Sequence, residues 1–228
     1  MKKEALFIEN RKKGMVMRVK GCSRLYKVSL LCMMICVICT LCIAFIGCGS
    51  TSGVPEEMPQ TALVITDEGE VTYYLEADFD KDYYDITELE AMVQEDMQEY
   101  NAELSEEERA VLESVKLSAD GQRAIVTAKF QNAAAYSRYS GYQLFYGTVS
   151  EAAAAGLDSG LTMQNAKDGS DVTQVQMKEH GNRKFLMAEE KARLYGPSRV
   201  LYISTGASYN EDGSVSPAEE GNTYMIMK

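Results

Sequence analysis

The longest apolar run of the chain covers residues 29–46, SLLCMMICVICTLCIAFI, and contains no charged side chain. Its length, roughly 18 residues, lies at the lower limit of what spans a bilayer as a helix. Residues 1–28 precede it with nine Lys or Arg side chains and two Glu. Such a basic flank stays on the cytoplasmic side of a membrane. The pattern is typical of a signal peptide and also of an uncleaved membrane anchor, and Met15 and Met17 offer later translation starts.

The next regular pattern is a pair of strands joined by a turn. TALVIT, residues 61–66, predicts a strand, DEGE predicts a turn, and VTYYLEA, residues 71–77, predicts the antiparallel partner. A second hairpin is predicted from Val111–Ser118 and Arg123–Phe130, joined at Asp120 and Gly121.

A helical pattern lies between the two hairpins. Asp85 is the predicted N-cap, and Glu88 follows three residues later, as in a capping box. Apolar side chains then recur every three or four residues, which predicts one buried stripe on a helix of about 20 residues: Ile86, Leu89, Val93, Met97, Tyr100 and Leu104. The opposite face is acidic, which indicates a solvated surface.

Helix is also predicted for Ala133–Tyr146 and for Ser150–Ala155, with Ser150 as the N-cap. The C-terminal third has strand patterns separated by loops with Gly and Pro: Val172–Lys178, Lys184–Glu190, Arg199–Ser204 and Asn222–Lys228. Hairpins and helices are segregated, without βαβ alternation. The sequence therefore predicts an α+β domain with an antiparallel sheet and two or three packed helices, preceded by a cleaved hydrophobic signal helix.

The residues after the apolar run favour cleavage over anchoring. Gly47 and Cys48 come directly after it, followed by GSTSG rather than by basic or aromatic interfacial residues. This stretch resembles the lipobox of bacterial lipoproteins. The resemblance implies that Cys48 receives a diacylglyceryl group on its sulfur and becomes the mature N-terminus after cleavage. The chain then divides into a signal peptide at 1–47, a flexible tether at 48–60 and one globular domain at 61–228.

Cysteine usage and charge agree with this division. All six cysteines lie at or before Cys48, so a mature chain that starts there contains no disulfide. Of 23 basic and 34 acidic residues, the 9 and 2 in residues 1–28 are lost, which leaves 14 and 32 and a formal charge of −18. So acidic a domain repels nucleic acid and anionic lipid. Membrane attachment is therefore expected through the lipid on Cys48, including its palmitate-type acyl chains.

The search for catalytic motifs is largely negative. His180 is the one histidine of the chain and is predicted to be an exposed turn residue. A zinc site of several histidines is therefore excluded, and no nucleophile-elbow, S-x-x-K or phosphate-binding glycine motif occurs. We expect no cofactor.

Two groups of side chains are candidate sites. Asp78, Asp80 and Asp82 alternate as the first ligands of a calcium loop do, but Tyr83 and Leu89 stand where the loop needs Gly and Glu. They are a weak calcium candidate, and a solvated helix N-terminus is the preferred interpretation. Four tyrosines recur at helical spacing and are either core residues or a ligand-binding groove: Tyr136, Tyr139, Tyr142 and Tyr146.

The mature part also resembles small lipoproteins of Gram-positive anaerobes, in the stretches YYDITELEAMVQEDMQEYN and LFYGTVSEA. That resemblance implies a location and a compact α+β domain, without an activity. The sequence therefore predicts a lipid-anchored protein on the extracytoplasmic face of the bacterial plasma membrane. Its predicted role is a non-enzymatic binding or accessory module for an envelope protein or small ligand. Two alternatives stay open: a carboxylate-based hydrolase of wall glycan and an uncleaved signal-anchored protein.

Overall fold

The computed structural model describes Met58 and residues 60–158, 160–173, 176 and 179–228. The predicted signal peptide, Cys48 and all of the predicted tether except Met58 and Gln60 lie outside the described residues. The described part consists of two open β-sheets and a few helices, so the predicted α+β class is confirmed.

The described residues form thirteen strands, three α-helices and one short 3-10 helix at Glu106–Glu108. The helices are α1 Ile86–Asn101, α2 Ala133–Ser140 and α3 Val149–Ala154. The strands are β1 Ala62–Ile65, β2 Val71–Asp78, β3 Ala110–Leu117, β4 Arg123–Phe130, β5 Leu144–Thr148, β6 Met163–Asn165, β7 Asp171–Val172, β8 Lys184–Ala188, β9 Arg193–Tyr195, β10 Val200–Ser204, β11 Ser208–Tyr209, β12 Val215–Ser216 and β13 Thr223–Met227.

The strands form a seven-stranded sheet in the order β11-β12-β9-β1-β2-β4-β3 and a six-stranded sheet in the order β5-β8-β13-β10-β6-β7. Pairing between the described strands is antiparallel, as predicted, except that β1 pairs in parallel with β9. The exception joins residues about 130 positions apart, Ala62 with Arg193, which no local pattern of the sequence encodes.

The two sheets share one hydrophobic core. Side chains that alternate along each strand point to the same face, so Leu63 and Ile65 of β1 pack in the cluster that also contains Leu186 of β8 and Met225 of β13. Intervening residues of the six-stranded sheet, such as Phe185, form a second cluster with α3 on the opposite face. This second cluster contains Val149 and Ala152 of α3.

Both predicted hairpins are confirmed. β1 pairs with β2 in the register Leu63↔Tyr73, and β3 pairs with β4 around the Asp120-Gly121 turn. Helix α1 begins as predicted, because the Asp85 carboxylate accepts hydrogen bonds from the backbone N–H groups of Thr87 and Glu88. The predicted stripe faces the protein as far as Tyr100, and Met97 is its most buried residue. The predicted length of about 20 residues is too long, because the helix has 16 residues and Leu104 lies beyond its end at Asn101.

The predicted helix at Ala133–Tyr146 is wrong in its second half. Helix α2 ends at Ser140 because Gly141 takes the left-handed conformation, with φ of 77°, which glycine adopts without steric penalty. Residues 144–148 then form β5. The following helix is confirmed, but its N-cap is Thr148 rather than Ser150, in a capping box with Glu151.

Three of the four predicted C-terminal strands are confirmed as β8, β10 and β13. The fourth, Val172–Lys178, is wrong in extent where it is described: β7 covers Asp171–Val172, Thr173 lies outside any strand, and most of residues 174–178 lie outside the described part. The sequence did not predict β5, β6, β9, β11 or β12. Apart from β5, these strands have two or three residues, too few for a periodic pattern.

Candidate functional site

The four tyrosines predicted on one helix face are placed in three different settings. Tyr136 and Tyr139 lie on α2, Tyr142 follows the cap of that helix, and Tyr146 lies on β5. Tyr136 is fully buried and Tyr139 packs partly buried against the shared core, whereas Tyr142 is exposed. The structure therefore does not bring the four phenols together on a helix as a groove.

Tyr136 instead belongs to a buried polar cluster around Glu190. The hydroxyl of Tyr73 donates a 2.7 Å hydrogen bond to Oε1 of Glu190, and the hydroxyl of Tyr136 donates to Oε2. Glu190 is 7% exposed. The two rings lie edge to face, with centroids 5.4 Å apart. Burial, and then the charge of Glu190 and its hydrogen bond, raise the pKa of Tyr136 far above its ordinary value.

The neighbours of Glu190 also bond to distant backbone. Glu189 accepts a 2.9 Å hydrogen bond from the N–H of Gln143, and Lys191 donates to the carbonyl of Ala218 at 2.8 Å and to that of Gly221. Residues 189–191 therefore connect the end of β8 to three places. Glu189 bonds to the α2–β5 turn, Glu190 to the core, and Lys191 to the loop before β13. These contacts are structural, because they connect elements of the fold.

Glu190 was not predicted from the sequence, although one signal pointed to it. Two glutamates directly follow the wholly apolar FLMA of β8, and a carboxylate at the end of a buried strand needs partners. Its partners lie 54 and 117 residues away, so the sequence offered no way to name them.

The weak calcium candidate lies at the end of β2. Asp78 is the last residue of that strand, and Asp80 and Asp82 follow it in the connection to α1; all three are exposed. Asp80 forms a 2.7 Å ion pair with Lys81, and this hydrogen bond lowers the pKa of Asp80. Across the described ranges, no group of three His, Cys, Asp or Glu side chains is arranged to hold a metal ion.

The same connection carries an aromatic cluster. The ring of Tyr84 lies between Phe79, at 5.1 Å between centroids, and Tyr83, at 4.9 Å. Tyr83 is 69% exposed, the most exposed of the large hydrophobic side chains in the described part. The backbone of Phe79 is fixed by a 2.7 Å hydrogen bond to the carbonyl of Gln122 in the β3–β4 turn. We call this surface the acidic aromatic patch: the rings of Phe79, Tyr83 and Tyr84 with the carboxylates of Asp78, Asp80 and Asp82.

His180 lies in a turn, as predicted, but its predicted exposure is wrong. The side chain is partly buried, with Nε2 3.1 Å from the hydroxyl of Tyr202 and ring centroids 5.4 Å apart. Tyr202 belongs to β10, so the contact attaches the turn to the six-stranded sheet.

Comparison with known proteins gives no relative. No protein-family model matches the chain, and neither the curated proteins nor the solved structures contain a significant match. Within the described ranges, the helices are too short or too polar to cross a bilayer.

Proposed function

We propose that this chain is a lipid-anchored binding protein of the bacterial cell envelope, attached through Cys48 to the extracytoplasmic face of the plasma membrane. In this proposal the acidic aromatic patch is the surface that contacts the partner. The observation that carries the binding role is the 69% exposure of Tyr83, whose ring packs against Tyr84, which in turn packs against Phe79. Exposed aromatic side chains are enriched among the residues that dominate binding energies at protein interfaces.

The distance from Cys48 to the fold supports a function close to the membrane. Met58 is 4% exposed and packs with Ala62, Val64 and Tyr195 on the seven-stranded sheet. Met58 is ten positions after Cys48, and ten residue steps span at most about 36 Å. Together with the resemblance of residues 45–48 to a lipobox, this short link supports a domain held near the bilayer.

The patch lies at the end of the sheet where the chain enters. The Oγ1 of Thr61 accepts a 3.2 Å hydrogen bond from the backbone N–H of Glu76. Asp78 is two residues beyond Glu76 on β2, which corresponds to about 7 Å along a strand. The entry point of the chain and the acidic aromatic patch are therefore neighbours, which supports a partner at the membrane surface.

The contacts of the carboxylates support binding over hydrolysis of wall glycan. A glycosidase general acid needs a raised pKa. Hydrogen bonds instead lower the pKa values of several carboxyl groups: Asp80, Glu108, Asp120, Glu151 and Asp168. Glu190 is 7% exposed, and both of its carboxylate oxygens accept hydrogen bonds from core tyrosines, so it does not face a substrate on the surface.

Mass spectrometry of the protein purified from cell membranes tests the anchor. We expect a mature N-terminus at Cys48 that carries a diacylglyceryl group. Cys48→Ser is expected to abolish both the modification and the cleavage, while Cys42→Ser, six positions earlier in the apolar run, leaves both intact. An unmodified N-terminus upstream of Cys48 would contradict the proposal.

Crosslinking in intact cells tests the binding surface. We expect Tyr83→Ala to lose crosslinked partners that the wild-type protein retains, because the exposed ring is the centre of the patch. Tyr209→Ala, at a 38% exposed tyrosine on β11, is the matched control and is expected to retain them. Equal losses in both variants would show that the patch is not the contact surface.

A further inference from the structure

The rings of the acidic aromatic patch hold Tyr83 in an exposed position. Tyr84 contacts both Phe79 and Tyr83, and the Tyr83–Tyr84 pair is edge to face at 70°. Neighbouring rings restrict the rotamers of an aromatic side chain, so binding through Tyr83 loses less conformational entropy than binding through an isolated side chain. The 69% exposed surface of Tyr83 is thus available to a ligand at low entropic cost.

The charge around these rings is mostly negative. Residues 78–90 contain six carboxylates and one cation, Lys81. Lys81 lies against Asp80, with Nζ 2.7 Å from Oδ1. Arg123, opposite Asp78 on β4, is paired with Glu76 and Asp120. One carboxylate of the patch therefore already pairs with a positive charge.

We propose that the acidic aromatic patch binds a cationic segment of a partner protein, with an Arg or Lys side chain over the ring of Tyr83 and the carboxylates of Asp78 and Asp82 beside it. Cations bind over the faces of tyrosine rings, and carboxylates at the rim raise the rate and selectivity of the encounter. The inference rests on the proposed function, because it names the partner class of the same surface.

The charge also argues against other occupants. The mature chain has a formal charge of −18, which repels anionic lipid headgroups and nucleic acid. A neutral glycan stacks on tyrosine but gains nothing from the net charge of the surrounding carboxylates. A cationic peptide uses both the rings and the charge, so it fits the patch best.

The test is calorimetric titration of the full-length lipidated protein, in uncharged detergent micelles, with a short oligo-arginine peptide. A glycine–serine peptide of the same length is the uncharged reference. We expect the oligo-arginine peptide to bind with an affinity that falls as salt is added, and the reference peptide not to bind. Tyr83→Ala is expected to weaken binding about two- to fivefold, the value of an exposed cation–π contact. Tyr83→Phe is expected to retain it.

Two matched controls distinguish binding at the patch from a general attraction of the peptide to an acidic protein. Asp82→Asn is expected to weaken binding and lower its salt dependence. Glu107→Gln removes one charge from the exposed 3-10 helix and Tyr209→Ala removes an exposed ring on β11; both are expected to leave the affinity unchanged. Equal effects of Glu107→Gln and Asp82→Asn, or unchanged affinity in Tyr83→Ala, would overturn the inference.

A neutral oligosaccharide titrated in parallel distinguishes a glycan site. Its binding, lost in Tyr83→Ala, would also overturn the cationic partner while leaving a binding role intact. Mass spectrometry of the same preparation reports the lipid on Cys48 separately. Failure of the anchor and failure of the cationic partner are therefore distinguishable results.

Discussion

The hydroxyl of Tyr73 donates a 2.7 Å hydrogen bond to Oε1 of Glu190, a residue 117 positions further along the chain. Tyr73 lies on β2 of the seven-stranded sheet, and Glu190 follows β8 of the six-stranded sheet. The bond therefore connects the two sheets through the core. Tyr136 adds helix α2 to the same carboxylate. A buried acid with two phenol donors orients three elements that hydrophobic contact alone would position less specifically.

Removal of the buried carboxylate is expected to destabilise the fold. Glu190→Ala leaves two buried hydroxyls without their acceptor, and each unsatisfied group costs about 1–3 kcal/mol. The free energy of unfolding, measured by urea denaturation, should fall accordingly. Glu107→Ala, at an exposed position of the 3-10 helix, is the control and should change it by about 0.5 kcal/mol or less.

A double-mutant cycle checks that the phenols are the reason for this loss. Tyr73→Phe is expected to destabilise the wild-type protein, because it removes one hydrogen bond to Glu190. In the Glu190→Ala background that bond is already lost, so the same change should cost less than in the wild type. Additive losses would mean that the two side chains do not interact.

Gly69 is expected to resist substitution for two separable reasons. Its φ is +90°, and a Cβ there would lie 3.2 Å from Cδ1 of Tyr146. Gly121 has φ of +69° in the other hairpin, with nothing within 4 Å of such a Cβ. Gly121→Ala should cost about 1–2 kcal/mol for the backbone alone. Gly69→Ala should cost on the order of 1 kcal/mol more for the contact.

Urea denaturation of Gly69→Ala and Gly121→Ala, each alone and combined with Tyr146→Leu, measures the cost of the contact between the new Cβ and the Tyr146 ring. The excess loss in Gly69→Ala should disappear when Tyr146 is shortened. Equal losses for the two glycines would mean that the ring moves aside without penalty.

Alkaline pH is expected to destabilise the protein through Tyr146. Burial, then the charges of Asp67 and Glu68, raise the pKa of Tyr146 from 10.0 to about 12. Above pH 10 the unfolded chain loses this proton while the folded chain keeps it, so the free energy of unfolding falls as pH rises. The stability that Tyr146 contributes through its raised pKa is complete below pH 10 and is lost by about pH 12.

Urea denaturation across this pH range, with phenolate absorbance of the folded protein, checks the sign. Tyr146→Phe should show a shallower fall than the wild type, because phenylalanine does not ionise. Identical pH profiles for the two proteins would contradict the assignment.

The start of α1 depends on one carboxylate. Oδ1 of Asp85 accepts hydrogen bonds from the N–H of Thr87 at 2.7 Å and of Glu88 at 3.3 Å. Asp85→Ala should therefore lower the free energy of unfolding by about 1 kcal/mol, and Asp85→Ser should restore most of it. Asp82→Ala, three residues earlier and exposed, is the control. A similar loss in that variant would indicate a general charge effect at the helix N-terminus rather than a cap.

Sequence reasoning identified elements whose determinants are local. The two hairpins have turn residues between alternating strands, and α1 has a cap and a long apolar stripe, so each was predicted within a few residues. The prediction failed where one residue decides between two conformations. Tyr142 and Tyr146 continue the helical spacing of α2, but Gly141 ends the helix and β5 follows.

The candidate site was predictable only in part. Asp78, Asp80 and Asp82 were predicted to form a solvated acidic segment before α1, and their exposure agrees with that interpretation. The exposure of Tyr83 and the burial of Tyr136 were not predictable, because tyrosine has an apolar ring and a polar hydroxyl and occurs in both settings. The Glu190 cluster and the parallel β1–β9 pair depend on contacts between distant segments.

Met58 packs at the point where the chain enters the seven-stranded sheet. Met58 is 4% exposed and contacts Ala62, Val64 and Tyr195. Met58→Ala should lower the free energy of unfolding by about 2–5 kcal/mol if this pocket cannot collapse. Met58→Leu nearly conserves the volume and should cost less than about 1.5 kcal/mol. Loss of the Met58 contacts would also expose the chain just before Ala62 to proteases. Limited proteolysis of the full chain should therefore cut closer to Ala62 in Met58→Ala than in the wild type or in Met58→Leu. If the alanine variant keeps both its stability and its cleavage pattern, Met58 does not fix the entry of the chain onto the seven-stranded sheet.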